Sequence, residues 1–120
     1  MEITEFGNYW IEDGILYFVY AKGTTLNLDL ANKIVGELTK FLNGKIYPSV
    51  VDINGVISAD KSARDFIAKE SKILFSRVAF ISTNTLSNII CNFFLTVNKP
   101  TIPMKLFRDK QKGLEYLSNQ

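Results

Sequence analysis

The stretch Val50-Val51-Asp52-Ile53-Asn54-Gly55-Val56-Ile57-Ser58 is a β-branched apolar run broken by a turn pair, and a polar segment of helical character follows it directly. Such a run reads as a buried strand, Asn54-Gly55 as the turn that ends it, and Ser58 as the N-cap of a helix beginning near Ala59 and running to about Lys72. Within that helix only Ala63, Phe66 and Ile67 form an apolar stripe, so most of its surface belongs to solvent. A strand that feeds a one-faced helix must be part of a layered α/β structure. The helix start beside the strand end is a natural place for a functional surface.

The flanking sequence extends the same logic. Tyr9–Glu12 and Ile15–Tyr20 are strand-like and meet at Asp13-Gly14, the residue pair that supplies positive φ in a tight hairpin. Trp10 with Tyr9, Tyr17 and Tyr20 suits a sheet with one buried face. Lys22-Gly23-Thr24-Thr25 reads as a loop. Leu30, Ile34, Val35, Leu38, Phe41 and Leu42 then recur at helical spacing, with Asp29 near the cap and Asn43-Gly44 as the stop. Val78–Ile81 is a short strand. A third helix follows with Leu86, Ile89, Ile90, Phe93, Phe94 and Val97 assigned to one side, then a strand over Ile102–Phe107 and a short terminal helix capped by Asp109. The order is β-β-α-β-α-β-α-β-α, which predicts an α/β fold with a mixed sheet of about five strands, mostly parallel after the hairpin, in one domain over residues 1–120.

Composition narrows the function classes. Net charge is only +2 and the basic residues are interspersed with acidic ones, so there is no electrostatic footprint for nucleic acid. One cysteine, Cys91, and no histidine exclude a disulfide framework, the usual zinc ligand sets and histidine-based nucleophilic triads. Cys91 reads as a small core residue. No cofactor and no metal are expected. The acidic N-terminus and the lack of any apolar run of about 18 residues argue against a signal peptide and a membrane span, which leaves a cytoplasmic protein as the expectation. Asp52 at a strand end invites comparison with a phosphate-accepting aspartate. The preceding strand is apolar, though, and offers no acidic pair for magnesium, so Asp52 reads as a carboxylate bonded to nearby backbone N–H groups.

Val51-Asp52-Ile53-Asn54-Gly55-Val56-Ile57-Ser58-Ala59-Asp60-Lys61-Ser62 resembles the signature of STAS domains, the anti-sigma-factor antagonist family. That signature is aliphatic-Asp-aliphatic-Ser-Gly-Val, three residues, then Asp-Ser-Ser-Gly. The resemblance implies a STAS fold over nearly the whole chain and a non-catalytic role in binding a protein partner. By position Asp60 matches the family Asp, Lys61 stands at the phosphorylated Ser, Ser62 matches the second Ser and Ala63 replaces Gly. Lysine accepts no phosphate, so the resemblance implies a module without the usual serine phosphoswitch. The C-terminal pattern Asn92-Phe93-Phe94, Asn98-Lys99-Pro100, Pro103 and Leu106-Phe107 is similar to a functionally unassigned bacterial STAS/SEC14-like group. SEC14-like relatives bind lipids, so the alternative is a carrier or sensor of a lipid-like molecule.

Two surfaces follow as candidates. Asn54, Ser58, Asp60, Lys61, Ser62 and Arg64 form a polar partner-binding patch around the helix start. The third helix carries more apolar surface than one core-facing stripe needs, so Ile90, Phe93, Phe94 and Leu95 are expected to meet a second copy of the chain or line an apolar pocket.

Overall fold

The computed structural model describes residues 1–118. The hairpin forms as its turn chemistry demands. Strands β2 (Gly7–Glu12) and β3 (Ile15–Tyr20) pair antiparallel with Trp10 opposite Tyr17. Asp13 and Gly14 both adopt positive φ, +52° and +75°. A short β1 (Glu2–Ile3) extends the edge. From β3 onward the sheet is parallel, running through β5 (Tyr47–Asp52), β7 (Phe75–Ile81) and β8 (Met104–Phe107) to give a six-stranded sheet ordered β1-β2-β3-β5-β7-β8.

A parallel sheet that grows in one direction through crossovers of one hand keeps its connecting helices on one face. Helices α1 (Leu28–Leu42), α2 (Lys61–Glu70) and α3 (Thr85–Phe93) accordingly share one core with Leu16, Phe18, Val51 and Val78 of the sheet. Among the described residues only α4 (Lys110–Ser118) covers the opposite face, packing Leu117 and Leu114 on Val50, Ala79 and Ile81. The expected α/β class holds, and the four helices and five main strands follow the expected order, with the short strands β1, β4 and β6 added to it.

Three local readings are corrected. The sheet has six strands, and residues expected as loop or helix form a separate parallel pair, β4 (Thr24–Leu26) with β6 (Val56–Ala59). Because pairing keeps Ser58 and Ala59 extended, α2 starts later and its N-cap is Asp60, whose carboxylate accepts from the Ala63 N–H at 2.9 Å. The first helix is capped by Asn27, and Asp29 lies in its first turn, near the cap as expected. The third helix also departs from the one-sided assignment. It continues into a π-helical turn over Phe94–Asn98, and its apolar residues divide between two faces.

Candidate functional site

Asn54 closes the carboxyl end of β5. Its Nδ2 and backbone N–H donate to Asp52 Oδ1, each at 2.9 Å, its Oδ1 accepts from the Thr83 N–H at 2.8 Å, and its carbonyl accepts from Asn84 Nδ2 at 2.8 Å. Asn84 in turn caps α3 through the Ser87 N–H, and Ser87 Oγ donates to the Val56 carbonyl. The Asn54 side chain therefore ties the strand end to the start of α3 and is not presented to a partner. Asp52 is a half-buried acceptor in this same knot, consistent with its structural reading.

The Asn54-Gly55 turn lies against the loop after β3. The N–H groups of Gly23 and Thr24 both donate to the Gly55 carbonyl at 2.8 Å, and a Cβ on residue 55 would stand 2.3 Å from the Ala21 carbonyl oxygen. This close approach is what lets β4 and β6 pair, and it delivers Ile57 and Ser58 to the surface.

The start of α2 is only partly the open patch that its composition suggests. Ser58, Asp60, Lys61 and Ser62 are exposed, but Asp60 serves as the cap, and Lys61 Nζ pairs with Asp65 at 2.7 Å one turn along. The hydrogen bond from Lys61 holds the Asp65 carboxyl below the usual carboxylate range. Arg64 points inward: Nη1 donates to the Ala59 carbonyl at 2.6 Å and Nε to Asn98 Oδ1 at 3.0 Å, while the guanidinium lies 4.7 Å from the Phe93 ring centroid. Asn98 Nδ2 donates to Asp65 at 2.6 Å. Arg64 is thus a clamp between α2 and the end of the third helix. Two of its partners, Phe93 and Asn98, lie about thirty residues away, which no local pattern reveals.

On the third helix, Cys91 and Phe94 face the core, with Phe94 edge-on to Phe80 at 6.1 Å. Ile90 and Leu95 are half-buried against the same core. The outward stripe is Leu86, Ile89, Phe93 and Val97, exposed by 49%, 60%, 48% and 55%. Of the four residues expected on this surface, only Phe93 is placed there as an exposed side chain. Ile57 on the adjoining β6 is also 48% exposed. No charged residue occurs anywhere from Val78 to Asn98, a signal in the sequence that marks this helix as unlike ordinary solvated surface. The result is an apolar, charge-free ridge whose Phe93 end is joined through Arg64, Asp65 and Asn98 to the polar start of α2.

The interior offers little room. Two apolar cavities of about 50 and 60 Å³ lie under α2 and share Tyr20, Ile67 and Phe80 in their walls. Burial pushes the Tyr20 phenol up to about 12 and the Cys91 thiol up to about 12, so both stay protonated at neutral pH. Cys91 is a core residue without nucleophilic character. Among the described residues no helix is long and apolar enough to cross a membrane.

A model of a protein family described as a domain of unknown function, DUF7793, matches residues 9–120. No match was found among curated proteins. Among solved structures, the chain is similar to an uncharacterized protein of the DUF3478 family with a SpoIIAA-like fold from Shewanella loihica PV-4. The TM-score is 0.57 at 19% identity, covering 92% of this chain and 91% of that one. At that identity the likeness concerns the fold, and it supports the STAS-like architecture expected from residues 51–62.

Proposed function

The chain belongs to the DUF7793 family, and we propose that it acts as a non-catalytic, cytoplasmic protein-interaction module of STAS type. The observation that carries this reading is the exposed stripe Leu86, Ile89, Phe93 and Val97 on a helix without charge, beside the polar residues Ser58, Lys61 and Ser62. An apolar centre depleted of charge and bordered by polar groups is the anatomy of a protein interface. The docking surface expected at the helix start therefore shifts onto α3, with Ser58, Lys61 and Ser62 as its border, while Asn54 and Arg64 hold the two parts together. Lys61 at the switch position keeps the reading free of a serine phosphoswitch. The carrier alternative draws less support, because a lipid-like ligand needs a cavity of some 300 Å³ or more and the two apolar cavities under α2 measure about 50 and 60 Å³.

The test is comparative capture from the protein's own source with three baits: the unchanged chain, the double variant Ile89→Glu with Phe93→Glu, and Lys45→Glu on the exposed turn after α1. The expected outcome is a partner, or a second copy seen as a doubled mass, retained by the unchanged chain and by Lys45→Glu and lost from the double variant. Both substituted apolar positions are solvent-facing, so the double variant should still fold. Equal capture by all three baits would remove α3 as the docking face.

A further inference from the structure

The sheet face opposite α1–α3 is covered by α4 only over β5, β7 and β8, and this leaves a groove of about 130 Å³ between the start of α4 and the hairpin. Its floor is apolar, made by Val19, Val50 and Ile81, and one wall is the Tyr17 ring, stacked at 5.2 Å on Trp10. Two opposite charges line it. Lys110 Nζ lies 4.9 Å from the Tyr17 ring centroid, and Asp52 sits at the carboxyl end of β5 with Oδ1 taken by Asn54. Among the described residues neither Asp52 nor Lys110 forms an ion pair, so the two charges stand farther apart than the 4.0 Å of a direct contact.

We propose that this groove binds a small zwitterion, an α-amino acid with an apolar side chain, its ammonium on Asp52, its carboxylate on Lys110 and its side chain on the Val19–Val50–Ile81 floor against Tyr17. The free charges select the zwitterion, since a ligand of one charge leaves one protein charge unanswered in the groove. The volume limits the size: a cavity of about 150 Å³ takes a single benzene ring, so a groove of about 130 Å³, open on one side, suits a small apolar side chain such as that of leucine, with phenylalanine at the upper end. The site lies on the other side of the sheet from α3.

Trp10 is the chain's one tryptophan and lines the groove, so its fluorescence reports occupancy directly. Titration with free leucine or phenylalanine is expected to give a saturable change. Glycine, 3-methylbutylamine and 4-methylpentanoate, which each lack one of the three features, should bind at least about tenfold more weakly. Lys110→Gln and Asp52→Asn should each weaken leucine binding by about tenfold or more. Asparagine at 52 still offers Oδ1 to both Asn54 donors, and thermal melting checks its fold. Should that variant unfold, the exposed Lys110 carries the test alone. No saturable response up to about 10 mM, leucine binding unchanged by Lys110→Gln, or an amine or acid binding as well as leucine would each overturn the proposal.

Discussion

Replacing Phe94 by alanine is expected to lower stability by about 4 kcal/mol, whereas the same change at Phe93 should cost about 1 kcal/mol or less. The two are sequence neighbours with opposite surroundings. Phe94 is 7% exposed, lies edge-on to Phe80 and walls the cavity of about 60 Å³, so truncation removes a buried ring and enlarges an existing void. Phe93 is 48% exposed and loses mainly its stacking with the Arg64 guanidinium. Urea unfolding of both variants checks the contrast. Equal costs would mean that the helix is rotated from the placement described here, and the exposed ridge would move with it.

Gly55→Ala is expected to cost about 3 kcal/mol and to lower the melting temperature by about 10 °C. The added methyl would meet the Ala21 carbonyl oxygen at 2.3 Å and other backbone atoms of residues 20–21 within 2.8 Å. Backbone on both sides cannot step aside as the end of a flexible side chain can. Relief requires the turn to withdraw, which breaks the two bonds from Gly23 and Thr24 to the Gly55 carbonyl and unpairs β4 from β6. The amide protons of Gly23 and Thr24 should then lose exchange protection before the main sheet does. A stability loss under about 1 kcal/mol would show that the loops yield and that this contact does not hold the surface in place.

These two residues mark how far the sequence could be read. The hairpin at Asp13-Gly14 and the helix with Asn43-Gly44 at its end were legible because their signals are local: a positive-φ pair and an apolar period that stops at a left-handed residue. The α/β element order followed from the same kind of signal repeated along the chain, and the STAS-like reading from the resemblance of residues 51–62. The pairing of β4 with β6 was not legible, since strands of three and four residues depend on a glycine whose close neighbour lies more than thirty positions earlier. Ser58 and Asp60 are equally good caps in isolation. Only that pairing, which holds Ser58 and Ala59 extended, decides for Asp60.

The candidate surface shows the same division. That the third helix carries excess apolar residues was visible, but its phase was not, because Leu86, Ile89, Phe93 and Val97 step along one face while Ser87, Cys91 and Phe94 step along another. The buried face contains a serine and a cysteine, so hydrophobicity alone did not separate Phe93, which faces solvent, from Phe94, which walls an apolar cavity. Asn54 and Arg64 were singled out as polar residues at a strand end and a helix start. Their partners at Thr83, Asn84 and Asn98 come from distant sequence, and those contacts turn them from surface groups into connectors.

The central claim is that the ridge on α3 is where a partner sits, and amide hydrogen exchange of the isolated chain against its captured complex tests it most directly. The account predicts that slowed exchange on binding concentrates in residues 85–98 and 56–62, with the hairpin and α4 unchanged. Protection confined to the β8 edge or to α4, with residues 85–98 exchanging as in the free chain, would contradict it.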